Sequence, residues 1–358
     1  MRHDPAVTFV IMAGGRGERL WPLVRTNRPK VCLSPDGRRA LLQSTIERLR
    51  PVWPNASWLI VITADQLEPI RRILPRAMRA SIVVEPQGKN TAACLTLAAV
   101  ITAARDPGRV LVAVPADHWI AQEAPYQRSV RSAIRASAAH DAIATIGIQP
   151  TGPTPGLGYL WTGAAVQGPW ESRVLRLHRF VEKPTVQRAR RLLRRPRTYW
   201  NSGIFVGTAD RLLEAVTQWL PEHSRRLAPL ARHVGRPSFA VQIRRAYAGL
   251  PPISFDHGVM DHVRSGALVV EGQFSWADLG SWDAWAGAGR AGGLSVTIDC
   301  DNVQVVSEQP HLVAAIGMKD VVVVHTPSAT LVCQTAQAQR VRDVVQQLAQ
   351  HPRLAAYR

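Results

Sequence analysis

The chain has 358 residues, 46% apolar and 20% charged, enough for one large domain with an appendage or for two ordinary domains. This balance excludes disordered and fibrous proteins, and no run approaches the roughly eighteen apolar residues of a membrane-spanning helix. The 44 Lys and Arg against 26 Asp and Glu give a net charge of +18, which admits nucleic acid, anionic lipid or phosphorylated small molecules as partners, or simply an arginine-rich solvated surface.

Met1 to Pro5 leads directly into a strand-like run, Thr8–Met12, without a signal-peptide core; a cytoplasmic protein with no membrane insertion is expected. Further strand-like runs are Trp58–Thr63, Ser81–Val84, Val110–Val114 and Ala142–Ile148. Helix-length segments Leu41–Leu49, Gln66–Leu74, Thr91–Ala104 and Pro125–Ala139 lie between or after them. This alternation predicts an α/β fold with a mostly parallel sheet, whose ligand sits beyond the carboxyl ends of the strands. Thr91–Ala104 is apolar on all sides and should pack on the sheet with little exposed face. Farther on, Arg188, Arg190, Arg191, Arg194, Arg195 and Arg197 surround a stripe of Val186, Ala189 and Leu193 at helical spacing. That pattern marks a surface helix, and no aromatics interleave with it to stack bases, so specific nucleic-acid binding is not expected.

The pattern changes after Trp282. Gly287, Gly289, Gly292 and Gly293 suit a linker, which places a domain boundary near residue 290 and divides the chain into 1–290 and 291–358. Beyond it come β runs Asn302–Val306, Leu312–Ile316, Val321–Val324 and Thr330–Cys333, then a helix from about Ala336 to Gln350. This tail carries no evident chemistry; the jobs open to it are covering a sheet edge or making a subunit contact, as in a homodimer. Cys32, Cys94, Cys300 and Cys333 have no C-x-x-C spacing and read as reduced thiols.

The chemistry lies in the loops after the strands. Ala13-Gly14-Gly15-Arg16-Gly17-Glu18-Arg19-Leu20-Trp21-Pro22 follows the first. Glycines there let backbone amides approach a polyphosphate, Arg19 offers a bidentate fork, and Lys30 could reach back from Pro29-Lys30. Alone, such a turn admits a ligand loop or merely a tight turn. The dinucleotide fingerprint fails, with Leu20 where its third glycine belongs, and Gly88-Lys89-Asn90 lacks the rest of a P-loop. Glu85-Pro86-Gln87-Gly88-Lys89-Asn90-Thr91 opens the long helix; Asn90 suits an N-cap, or the loop offers amide and carboxylate edges to a base. Asp117 follows the fourth strand, and Asp278 stands in Trp276-Ala277-Asp278-Leu279-Gly280-Ser281-Trp282. Converging on a polyphosphate, two such acids would hold a hard divalent cation. His118 invites a general-base reading, though a structural histidine is the plainer one.

Phe180-Val181-Glu182-Lys183-Pro184, Tyr199-Trp200-Asn201-Ser202-Gly203, Gly158-Tyr159 and Ser254-Phe255-Asp256-His257-Gly258 offer acids, amides and an ammonium suited to a phosphorylated sugar. Lysine is scarce: the chain has Lys30, Lys89, Lys183 and Lys319 against forty arginines. Three of the four fall in these segments, where a compact ammonium rather than a planar fork has a use.

In combination and in this order, the segments resemble the sugar nucleotidylyltransferase family. The Leu20-Trp21-Pro22-Leu23 form looks like its bacterial mannose-1-phosphate guanylyltransferase branch. The resemblance runs from about residue 8 to 350 and implies a Rossmann-like nucleotidyltransferase domain plus a small β-rich, β-helix-like C-terminal domain. It implies that GTP and mannose 1-phosphate give GDP-mannose and pyrophosphate, with Mg2+ as cofactor. Carried over, Gly14, Gly15, Gly17 and Arg19 would embrace the triphosphate, and Lys30 would stabilise charge at the α-phosphate. Glu85, Pro86, Asn90 and Thr91 would face guanine; Gly158, Glu182, Asn201 and Asp256 would line the mannose pocket, with Lys183 on its phosphate. Asp117 and Asp278 would bind the metal. Departures from the family pattern are Val24, Val31-Cys32, Lys89, His257 and Asp261. The last two border the expected sugar pocket, so a related sugar 1-phosphate such as a manno-heptose, or another nucleotide, stays open. A basic nucleic-acid-binding or regulatory protein on this scaffold is the remote alternative. The chain ends near the close of the β-rich domain, and transferase activity alone is expected.

Overall fold

The computed structural model describes residues 4–263, 265–287 and 293–358. In chain order the strands up to residue 278 are β1 (Val7–Met12), β2 (Ser57–Thr63), β3 (Ile82–Glu85), β4 (Val110–Pro115), β5 (His118–Ile120), β6 (Ile143–Ile148), β7 (Tyr159–Val166), β8 (Val174–Val181), β9 (Thr198–Thr208), β10 (Ala267–Gly272) and β11 (Trp276–Asp278). Nine form one sheet in the order β3-β2-β1-β4-β9-β6-β10-β8-β7, while β5 and β11 pair separately. Strands β3, β2, β1 and β4 are parallel neighbours. Strand β9 runs antiparallel between β4 and β6, and β8 runs antiparallel to both β10 and β7. The expected α/β fold is present, but the sheet is mixed rather than mostly parallel, because β8 and β9 enter it antiparallel to their neighbours.

Helices α1 (Leu41–Leu49), α2 (Leu67–Ile73), α3 (Asn90–Ala103), α4 (Glu123–His140), α5 (Val186–Leu193), α6 (Ala209–Trp219), α7 (Pro221–Leu227), α8 (Phe239–Tyr247) and α9 (Trp282–Gly287) flank the sheet or lead away from it. Alternation along β1 explains the two cores: Val7, Phe9 and Ile11 join Tyr126, Val130 and Ile134 of α4, whereas Val10 faces Leu95, Ala98 and Ala99 of α3. The uniform apolarity of α3 follows from its position between two layers. Ala93, Leu97 and Ile101 on its other side pack against Leu227, Ile243 and Tyr247. The arginine-rich segment is a surface helix as expected, but α5 buries Ala189 and Leu192, while Val186 is exposed. Of the stripe read in the sequence, Ala189 is buried and Leu193 packs partly buried against the core, so Val186 is the residue that departs from it.

The expected boundary at residue 290, with Gly289 and Gly292, lies outside the described residues. After it come β12 (Leu294–Ile298), β13 (Asp301–Ser307), β14 (Leu312–Ile316), β15 (Lys319–Thr326) and β16 (Ala329–Gln334). Leu294 pairs in parallel with Leu312 and Asp301 with Lys319, an offset of 18 residues in each case. Equal offsets mean that one β coil stacks on the next, which is the β-helix-like arrangement expected. The final helix is shorter than expected: Thr335–Arg340 is a 3-10 turn, and α10 spans Val341–Gln350. All four cysteines are free thiols. Among the described residues no helix is long and apolar enough to cross a membrane.

Candidate active site

Because β1, β3 and β4 are parallel, the segments that follow them emerge on one edge of the sheet. Gly14 leaves β1 where a Cβ would lie 3.3 Å from the Glu85 carboxylate, so the glycine loop and the end of β3 are in contact. Gly15 has open space above it, and its carbonyl accepts from Gln66 Nε2 at 3.0 Å. Gly17 has φ 71°, and a Cβ there would lie 2.5 Å from Lys30 Cβ. Glycine is required twice over, for the left-handed backbone and for the close approach.

That approach buries Lys30, whose Nζ donates to Asp117 Oδ2 at 2.6 Å and to Asp278 Oδ1 at 3.3 Å. Burial by itself would lower the Lys30 pKa, but the two carboxylates outweigh it and raise it. Burial likewise pushes the Asp117 carboxyl up, and the ammonium more than reverses this. The β5–β11 ladder fixes the geometry by setting Asp278 opposite His118. His118 is buried edge-on to Trp276 with ring centroids 5.2 Å apart, and burial lowers its pKa. Its buried Nδ1 has no hydrogen-bond partner among the described residues.

Glu85 is buried, and Tyr247 OH donates to its Oε1 at 2.7 Å. Burial raises the Glu85 pKa to about 7 despite that bond. Pro86 follows directly and leads into α3. Asn90 departs from the cap expected of it: it is the first residue of α3, with φ 66°, and its Oδ1 accepts from the adjacent Thr91 N–H at 2.8 Å. A left-handed backbone turns its side chain away from the amides it would have capped. Thr91 Oγ1 accepts from Phe255 N–H at 2.9 Å, tying this loop to the segment that carries Asp256.

A second cluster forms around Asn201, whose Nδ2 donates to Asp256 Oδ1 at 2.7 Å while its Oδ1 accepts from Thr145 Oγ1 at 2.8 Å. The Asn201 N–H donates to Gly158 O at 2.8 Å. A Cβ on Gly158 would lie 2.8 Å from Glu182 Oε2, so that glycine makes room for the carboxylate. Burial and then the nearby Glu182 charge raise the Asp256 pKa to about 7. Lys183 has φ 39° and places Nζ 3.1 Å from Glu182 Oε1, with most of its side chain in solvent.

The β-rich tail packs against this region. Leu20, Trp21, Leu279 and Trp282 share a core with Val341, Val345 and Leu348 of α10. Gln339 Oε1 accepts from Arg19 Nη1 at 2.7 Å. Gln339, Tyr247, Thr145 and Gln66 escaped the sequence reading because none lies in a glycine-rich loop after a strand.

Among the described residues no three His, Cys, Asp or Glu side chains gather into a metal cage. Two carboxylates beside a glycine loop nevertheless fit a hard cation, which typically completes its shell with substrate phosphates and water.

Comparison with known proteins matches residues 8–291 to the Nucleotidyl transferase family and residues 293–348 to the MannoseP isomerase/GMP-like beta-helix domain. A Salmonella montevideo mannose-1-phosphate guanylyltransferase is 33% identical over 96% of this chain and 74% of its own length. The xanthan biosynthesis protein XanB of Xanthomonas campestris pv. campestris (strain B100) is 33% identical over 95% of this chain and 72% of its own. A solved structure from Thermus thermophilus, described as a mannose-1-phosphate geranyltransferase, is 30% identical with a TM-score of 0.80. It aligns over 96% of this chain and 99% of that one.

Proposed function

The chain belongs to the nucleotidyl transferase family, and from that premise we propose that it converts GTP and mannose 1-phosphate to GDP-mannose and pyrophosphate. The convergence of Asp117 and Asp278 on Lys30 beneath the glycine loop carries the reading of the reaction. Likeness over nearly the whole chain to proteins named mannose-1-phosphate guanylyltransferase supports the choice of substrates.

A phosphate oxygen of the sugar phosphate forms a bond to the α-phosphorus of GTP. The bond from that phosphorus to the α,β-bridging oxygen breaks, and its electron pair leaves with pyrophosphate. The attacking oxygen is already anionic, so no protein nucleophile is needed; the chain must align two anions and neutralise their repulsion. Amides of Gly14, Gly15 and Gly17 and the Arg19 guanidinium receive the triphosphate. Lys30 stabilises charge at the α-phosphate and the departing group. Glu85, Pro86, Asn90 and Thr91 face guanine; Gly158, Glu182, Asn201 and Asp256 bind mannose hydroxyls, and Lys183 its phosphate. Asp117 and Asp278 would hold Mg2+, which when bound supplies further neutralisation of the phosphates. In this reading residues 1–290 perform the transfer. The exposed Leu294, Leu312 and Ile316 of the tail support a homodimer contact, which sedimentation of the wild type against a triple serine variant tests.

A matrix of nucleoside triphosphates and sugar 1-phosphates, scored by pyrophosphate release, tests the substrates. GTP with mannose 1-phosphate should give the highest kcat/KM, and a preference for another pair would replace them.

A further inference from the structure

Arg19 differs from neighbouring arginines in what holds it. Arg16 lies within 3.7 Å of Glu18 and 3.8 Å of Asp65, and Arg340 within 3.4 Å of Asp343. Among the described residues no carboxylate lies within salt-bridge distance of Arg19. Its guanidinium rests instead on the neutral amide of Gln339, with Nη1 2.7 Å from Oε1. Gln339 Nε2 in turn donates to Ser281 Oγ at 3.1 Å. Ser281 is buried and ends the loop that carries Asp278. The same loop makes room for the arginine: a Cβ on Gly280 would lie 3.1 Å from Arg19 Nη2. One side chain from the β-rich tail therefore joins the glycine loop to the second-acid loop.

We infer that Gln339 is a positioning residue for nucleotide binding. It aims the Arg19 guanidinium without neutralising it, so the β-rich tail completes the triphosphate site. A long arginine free to sample many rotamers would lose that freedom on meeting the phosphates, and holding it beforehand removes this cost. A glutamate would hold it equally well in space but would compete with the triphosphate for its charge, whereas an amide leaves the full cation for the ligand. The inference rests on the assignment of GTP to this site and deepens it. Gln339 is exposed, so its replacement leaves the core intact.

The test measures Mg·GTP binding by calorimetry, alongside turnover and melting temperature, in wild type, Gln339→Ala, Gln339→Glu, Arg19→Ala and the double variant Arg19→Ala/Gln339→Ala. Both single Gln339 variants should bind GTP about tenfold more weakly, with KM for mannose 1-phosphate within about twofold of wild type. Gln339→Glu should melt no lower than wild type, because its carboxylate strengthens the contact with Arg19; a merely structural role would move affinity and stability together. In the Arg19→Ala background the Gln339 change should add no further loss, since its effect passes through that guanidinium. GTP affinity within about twofold of wild type in both single variants, or an equal loss in the Arg19→Ala background, overturns the inference. Wild-type protein that binds GTP without releasing pyrophosphate contradicts the proposed reaction but leaves this binding test in force; wild-type protein that binds no GTP overturns both.

Discussion

Asp278 lies directly opposite His118 in the β5–β11 ladder, and this pairing delivers its carboxylate to the side of Asp117, where Lys30 Nζ bridges the two. Two short strands therefore determine whether the site exists. The bridging ammonium also holds the carboxylates together until substrates arrive, offsetting a repulsion that would otherwise drive them apart.

Replacing Lys30 by Met separates two roles. Removing an ammonium that faces developing phosphate charge should lower kcat by about a hundredfold or more. Without nucleotide, the same variant should bind Mg2+ or Mn2+ more tightly than wild type, because both carboxylates lose their cation. Calorimetric titration with the metal alone checks the second effect, and weaker metal binding would remove the aspartates from the metal assignment.

Gly17→Ala should destabilise the protein by about 1–3 kcal/mol, from the left-handed backbone alone. It should also reduce turnover, because the new methyl meets the Lys30 stem. Urea denaturation followed by tryptophan fluorescence measures the first effect. Unchanged stability would show that the loop relaxes freely and does not fix Lys30.

Lys183→Ala should raise KM for mannose 1-phosphate about tenfold through loss of a charge-assisted contact, with nucleotide binding unchanged. Its exposure predicts no measurable loss of stability. A collapse of GTP affinity instead would place this lysine on the wrong substrate.

The Asp256 carboxyl is raised to about 7 by burial and by Glu182. A folded pKa above the unfolded one, ordinarily about 4, means that the native state holds its proton more tightly. The resulting stability is fully present below pH ~4 and is lost as pH rises through about 7. Asp256→Asn removes this titration, so the difference in melting temperature between variant and wild type should change across that window in the variant's favour. A difference independent of pH would show that Asp256 titrates normally. Glu85, also raised to about 7, remains in both proteins and cancels in the comparison.

The strands and helices around the glycine loop were legible because β-rich and helical runs alternate there, each loop marked by Gly, Pro or Asn. The strand pair that brings Asp278 to Asp117 was not, since three-residue strands leave too short a pattern to detect. Antiparallel β9 was hidden for a different reason: Tyr199-Trp200-Asn201-Ser202-Gly203 reads as the edge of a strand-like run, but it lies inside an eleven-residue strand in which Trp200 pairs with Ile148 on one side and Tyr159 on the other. The Asn90 cap failed on backbone sign, which residue type alone does not encode. Tyr247 and Gln339 act from elements far along the chain, and only tertiary packing brings them to Glu85 and Arg19.

Phosphorus NMR of the wild-type protein with GTP, mannose 1-phosphate and Mg2+ tests the central claim most directly. The account predicts that the mannose 1-phosphate and GTP signals decline together while the paired diphosphate resonances of GDP-mannose and the single line of pyrophosphate grow in equal amounts. Unchanged substrates, or GTP decaying to GDP and inorganic phosphate with the sugar phosphate untouched, would contradict it.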